Sequence, residues 1–174
     1  MRRVAVLASA SGNGKTTVGR LLADRLGVPF VELDSLVHGP NWTEISDERL
    51  RELVEPIVAG KGGWVIDGSY RRKIGDLVLA NADTVVWLDL PVRVWLPRLV
   101  GRTLRRIRGK ETLWNDNQEG FRNAFWSRDS LVVYALQTHF DRRRRYPVEL
   151  AAYPVIRLRT QRAIDRFVRG AGAT

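Results

Sequence analysis

Val4-Ala5-Val6-Leu7-Ala8-Ser9-Ala10-Ser11-Gly12-Asn13-Gly14-Lys15-Thr16 is the stretch that decides the fold. Five apolar residues, Val4–Ala8, run into a turn rich in serine and glycine. Buried parallel strands have this form. From Thr16 the apolar residues Val18, Leu21, Leu22 and Leu26 recur at helical spacing, and Gly27 ends the pattern. The turn between strand and helix, Ser9 to Thr16, fits G-x-x-x-x-G-K-[ST] except that Ser9 replaces the first glycine. Glycines let such a loop turn its N–H groups inward around an anion. The following helix adds free N–H groups and the positive end of its dipole. Strand, loop and helix in this order predict a nucleoside triphosphate site. Ser11, Gly12, Asn13, Gly14, Lys15, Thr16 and Thr17 hold the phosphates, Lys15 reaches the terminal ones, and the Thr16 hydroxyl ligates Mg²⁺.

Beyond the loop, short apolar runs and helical patterns alternate. Strands are predicted at Phe30–Leu33, Trp64–Ile66, Thr84–Leu88 and Val155–Leu158. Helices are predicted at Ser46–Ala59, Ile74–Leu79, Val92–Ile107, within Phe121–Tyr146, and at Arg162–Val168. This alternation implies an α/β fold, with a parallel sheet covered on both faces. No linker or repeat divides residues 1–174, so one domain is expected, with inserted segments at 35–60 and 108–146.

Of the 174 residues, 44% are hydrophobic and 28% charged, which argues against a disordered chain. Cysteine is absent and there are only two histidines, His38 and His139. Disulfide scaffolds, thiolate metal sites and a cysteine nucleophile are thereby excluded. Arg2-Arg3 before Val4–Ala8 imitates a signal peptide, but five apolar residues are fewer than the roughly 7–15 that such a segment needs. No transmembrane run is visible, and a cytoplasmic protein is expected.

Charge is uneven. The net charge is +10, yet residues 1–90 hold 11 basic and 12 acidic side chains while residues 91–174 hold 18 and 7. A strongly basic half implies an anionic partner, which composition leaves open among nucleic acid, membrane surface and phosphate ligand. No N-K-x-D string occurs, which argues against a GTPase.

Ligands of parallel sheets bind at the carboxyl ends of strands. Asp34, Asp67 and Asp89 all stand at such ends. Asp34 is expected to orient or deprotonate an acceptor, or alternatively to cap a helix. Asp67 is expected in the Mg²⁺ shell beside Thr16 and Asp34. Asp89, just before Pro91, reads as structural. Arg71 and Arg72 are placed to clamp an acceptor anion. Arg98 and Arg102 share one helix face, extended by Arg105 and Arg106, and no acidic residue occurs from Pro91 to Lys110. Trp42 and His38 belong to an acceptor-side loop. The Arg142–Arg145 run is either solvated or closes over the nucleotide.

Together these motifs resemble the adenylate-kinase-like P-loop kinases. The resemblance rests on the phosphate loop, on Asp67-Gly68-Ser69-Tyr70-Arg71, and on Trp87-Leu88-Asp89-Leu90-Pro91 followed by Arg98-Leu99-Val100-Gly101-Arg102. Within that group the chain looks closest to the topology modulation protein family. The resemblance implies a three-layer P-loop NTPase fold with a five-stranded parallel sheet, nucleoside-monophosphate-kinase-like, with a helical lid insertion at 108–146. It implies ATP and Mg²⁺ as cofactors and transfer of the γ-phosphate to a nucleotide or small hydroxylated metabolite. Lys15, Asp34, Arg71 and Arg102 would be catalytic. Arg98 would stack on the base, Arg102 would meet phosphate, and Arg71 would meet the acceptor's anion. Ser69-Tyr70 departs from the group's aromatic-Pro pair. The Asp34-Ser35-Leu36 stretch also resembles small-molecule phosphotransferases of the same fold, such as shikimate kinase and chloramphenicol phosphotransferase, whose matching Asp serves a substrate hydroxyl. A second reading, a nucleic-acid-binding protein using ATP as a switch, rests on the basic half and on Trp114, Phe121, Phe125 and Trp126 near basic residues.

Overall fold

The computed structural model describes residues 1–39, 43–109 and 131–172. Trp42, Trp114, Phe121, Phe125, Trp126 and residues 110–130 of the expected lid insertion lie outside them. Five strands, β1 (Arg3–Ala8), β2 (Phe30–Glu32), β3 (Trp64–Asp67), β4 (Thr84–Leu88) and β5 (Val155–Leu158), form one sheet in the order β2-β3-β1-β4-β5. Every pairing is parallel. The helices are α1 (Lys15–Leu26), α2 (Leu33–Val37), α3 (Asp47–Ala59), α4 (Arg71–Ile74), α5 (Leu77–Ala80), α6 (Val92–Gly109), α7 (Leu131–Glu149) and α8 (Gln161–Gly170).

Alternation along β1 explains the layering, because successive side chains point to opposite faces. Val4, Val6 and Ala8 join Val18 and Leu22 of α1, Trp95 and Leu99 of α6, and Ile164 and Val168 of α8 in one core. Ala5 and Leu7 face the other way, onto Leu33, Leu50, Val54, Ile74 and Val78 of α2 to α5. The two cores make three layers. Strands β1, β3 and β4 are nearly wholly buried, so they read as continuous apolar runs.

The helix expected from Ser46 starts one residue later, at Asp47, and Ser46 caps it, its side chain accepting from the Arg49 N–H at 3.1 Å. Two expectations are corrected. β2 ends at Glu32 and the chain turns helical at Leu33, so Asp34 lies in the first turn of α2, where Ser35 Oγ donates to the Glu32 carbonyl at 2.7 Å. The helix expected over Ile74–Leu79 is two single turns, α4 and α5. Gly75 parts them at φ 61°, ψ −144°, a conformation that only glycine adopts readily. Among the described residues no helix is long and apolar enough to cross a membrane.

Candidate active site

The phosphate loop follows the central strand and is braced from two sides. Gly12 has φ 83°, and a Cβ placed on it would lie 2.6 Å from the Trp95 carbonyl oxygen and 3.1 Å from Leu99 Cβ. Helix α6 therefore sits directly on the loop, and only glycine permits the approach. Asn13 is buried. Its amide donates to the Ala10 carbonyl at 2.9 Å and accepts from the Leu90 N–H at 2.9 Å, tying the loop to the end of β4. Gly14 caps α1 in the left-handed conformation with no side-chain cap, so the first N–H groups of this 12-residue helix point into the loop without a side-chain acceptor. Ser11 is half-buried and Thr17 exposed.

Ser9, the departure from the motif glycine, is fully buried and serves as a junction. Its hydroxyl donates to Asp89 Oδ1 at 2.7 Å and accepts from Trp87 Nε1 at 2.9 Å. Asp89 is the buried anion of this junction. Arg157 donates to its Oδ2 at 2.6 and 3.0 Å, and Arg143 Nε lies 3.1 Å from its Oδ1. The structural reading of Asp89 thus fits its surroundings: it joins β4, the loop entry, β5 and α7.

Lys15 and Thr16 converge on Asp67. The Lys15 ammonium donates to Asp67 Oδ1. The Thr16 hydroxyl lies 2.8 Å from Asp67 Oδ2 and 3.2 Å from Glu32 Oε1. Register explains the meeting, since Glu32 pairs with Asp67 across β2 and β3. Burial, and then the neighbouring Asp67 charge, push the Glu32 carboxyl above its ordinary value. Two carboxylates and a hydroxyl so close together form an oxygen set suited to a hard divalent cation such as Mg²⁺, with phosphate oxygens as further ligands. Among the described residues no group of three His, Cys, Asp or Glu side chains makes a metal site on its own. Glu32 was not singled out from sequence; its place at a strand end beside Asp34 was the available signal.

Asp34 is not hydrogen-bonded to Thr16 or Asp67. It accepts from the Tyr70 hydroxyl at 2.6 Å, and that hydroxyl lies 3.5 Å from His38 Nε2. Asp34 and His38 are four apart at the two ends of α2, so they share a face. Burial pushes the Tyr70 phenol well up, and the Asp34 charge adds to it.

The arginines divide. Arg71 forms an ion pair with Asp76, and its guanidinium is 3.5 Å from Glu149 of α7; Asp76 holds it above its ordinary value. Arg72 is exposed. Arg98 is exposed beside Leu99, the residue that touches Gly12, and Arg102 is half-buried one turn further on. Within the four-arginine run, helical rotation turns Arg142 and Arg143 inward. Arg142 donates to the Ala8 carbonyl at 2.9 Å, at the neck of the loop, and Arg143 meets Asp89. Arg144 and Arg145 stay on the helix surface and pair with Asp141, and Arg145 also with Glu149.

The shikimate kinase family model matches residues 11–48. A shikimate kinase of Symbiobacterium thermophilum is 33% identical over 114 residues, covering 58% of this chain and 66% of that protein, just under two thirds of its length. Among solved structures, a gluconokinase from Sinorhizobium meliloti superposes with TM-score 0.56 at 20% identity, covering 99% of this chain and 90% of that one. The shikimate kinase from Acinetobacter baumannii, in complex with shikimate, gives 0.58 at 21%, covering 97% and 90%. The fold is that of the P-loop kinases of the nucleoside-monophosphate-kinase type.

Proposed function

We propose that this chain is an ATP- and Mg²⁺-dependent phosphotransferase acting on a small hydroxylated metabolite. The observation that carries the reading is the convergence of Lys15 and Thr16 on Asp67, one strand away from a half-buried Asp34. Magnesium-bound ATP supplies the transferable phosphoryl group. The loop amides from Ser11 to Thr17 and Lys15 hold its phosphates, and Thr16, Asp67 and Glu32 supply oxygens toward the metal. Asp34 orients the acceptor hydroxyl and takes its proton. Arg98 of α6 stacks on the base and Arg102 meets phosphate, and residues 108–146 serve as the lid-like segment.

A hydroxyl acceptor is preferred over a nucleoside monophosphate for two reasons. A phosphate nucleophile needs no base, yet Asp34 is present and hydrogen-bonded. Arg71, which would clamp an acceptor phosphate, is instead held by Asp76 and Glu149. The substrates for which the matched kinases are named, shikimate and gluconate, belong to the same polyhydroxylated class. The likeness to the topology modulation protein family is part of this reading and names no acceptor; the cytoplasm is the proposed compartment. The test is acceptor-dependent ADP release by the purified protein across hydroxylated metabolites and nucleoside monophosphates. Turnover with the former, lost in Lys15→Ala, is expected. Full turnover by Lys15→Ala, or release with nucleoside monophosphates alone, overturns the reading.

One observation favours a second reading. Arg93, Arg98, Arg105 and Arg108 are all exposed along α6, a helix without an acidic side chain. A nucleic-acid partner there predicts DNA affinity with a steep salt dependence, about one unit of log–log slope per phosphate contacted. A flat slope dismisses it.

A further inference from the structure

Tyr70 is the one non-glycine residue with positive φ among the described residues, at φ 46°, ψ 40°. Side chains with a Cβ occupy this region only when the surroundings over-determine it, and such strain collects at functional sites. Three contacts do so here. The Tyr70 carbonyl accepts from the N–H groups of Lys73 and Ile74 at 2.8 and 3.0 Å and so starts α4. A Cβ placed on Gly68 would lie 3.8 Å from Tyr70 Cδ2, so the ring lies close over that glycine. The hydroxyl ends on Asp34 Oδ1 at 2.6 Å.

The last contact has a chemical consequence. A phenol beside a carboxylate donates its proton, so one oxygen of Asp34 is engaged and the carboxylate's rotation is fixed. Asp34 Oδ2 has no hydrogen bond among the described residues. On the other side, His38 Nε2 lies within 3.5 Å of the same phenol and closes an Asp34–Tyr70–His38 chain.

We infer that Tyr70 is a positioning residue for the proposed transfer: its hydroxyl holds Asp34 Oδ1 and leaves Oδ2 to take the acceptor hydroxyl. The inference rests on the phosphotransferase reading. Tyr70 touches neither acceptor nor phosphate; it acts through Asp34.

The test compares wild type with Tyr70→Phe, which keeps the ring. Acceptor turnover falls by about tenfold, as expected for loss of a hydrogen bond to a charged group. The loss falls on kcat for the acceptor, while KM for ATP and ATP binding are unchanged. A kcat superimposable on wild type overturns the inference. A second measurement needs no acceptor. With ¹³C-tyrosine labelling, the Cζ resonance missing from Tyr70→Phe is assigned to Tyr70, and Asp34→Asn shifts it. An unmoved resonance overturns the inference even if no acceptor is ever turned over, which keeps its failure separate from failure of the kinase reading.

Discussion

The Ser9 hydroxyl and the Asp89 carboxylate, 80 residues apart in the chain, meet at 2.7 Å with neither residue more than 1% exposed. The same oxygen of Ser9 takes the Trp87 indole N–H. Ser9→Ala leaves that N–H without an acceptor and removes one donor from Asp89. A buried group left unsatisfied costs about 1–3 kcal/mol, read as a lower midpoint in urea unfolding. An unchanged midpoint refutes the junction.

Gly12→Ala tests the seating of α6 on the loop. The added carbon meets the Trp95 carbonyl oxygen at 2.6 Å, and φ 83° is unfavourable for alanine in any case. A loss of about 1–3 kcal/mol is expected from the backbone alone, together with weaker ATP binding by calorimetry. Gly14→Ala shares the positive φ but meets nothing within 4 Å, so it is expected to be milder.

His139 predicts acid sensitivity. Its ring is fully buried against Trp95, with centroids 5.4 Å apart, and among the described residues neither nitrogen has a hydrogen-bond partner. Burial first, and then Arg143, hold its pKa below the ordinary 6.5, while Asp89 opposes them. The unfolded chain therefore binds a proton that the folded chain resists. Stability from this residue is present above about pH 6.5 and is lost as pH falls through the depressed value. His139→Leu is expected to flatten the pH dependence of the unfolding midpoint below pH 6.5. A slope identical to wild type overturns the assignment.

Tyr70→Pro would place here the proline that the resemblance to the adenylate-kinase-like kinases implies, and is expected to damage this chain. Proline is locked near φ −65° and cannot take φ 46°. The start of α4 is lost, lowering the melting temperature and raising KM for the acceptor. ATP affinity, set by the loop around Lys15, is retained. A variant as stable as wild type refutes the strained geometry.

Much of this was legible in sequence, for local reasons. The β1–loop–α1 unit, the helix opening near Ser46 and the strand ending at Asp67 all follow from spacing and turn chemistry within about fifteen residues. The α/β class and the five-stranded sheet followed from them. What escaped depends on register and rotation. Glu32 reaches Thr16 because β2 lies against β3 with Glu32 opposite Asp67, and no local pattern encodes that pairing. Arg142–Arg145 is uniform in composition, yet a helix turns about 100° per residue and sends its members to different partners. Asp89 owes its role to Ser9, Arg143 and Arg157, which come from three distant segments.

Arg142 and Arg143 give α7 two holds on the chain that feeds the phosphate loop: one on the Ala8 carbonyl, the other through Asp89 to Ser9. Position of the helix and shape of the loop are therefore thermodynamically linked. A ligand that tightens the loop's neck must strengthen the grip on α7 by the same free energy with which a docked α7 improves the ligand's affinity. Weakening either arginine would appear as an altered affinity for phosphate at a loop whose own residues are untouched.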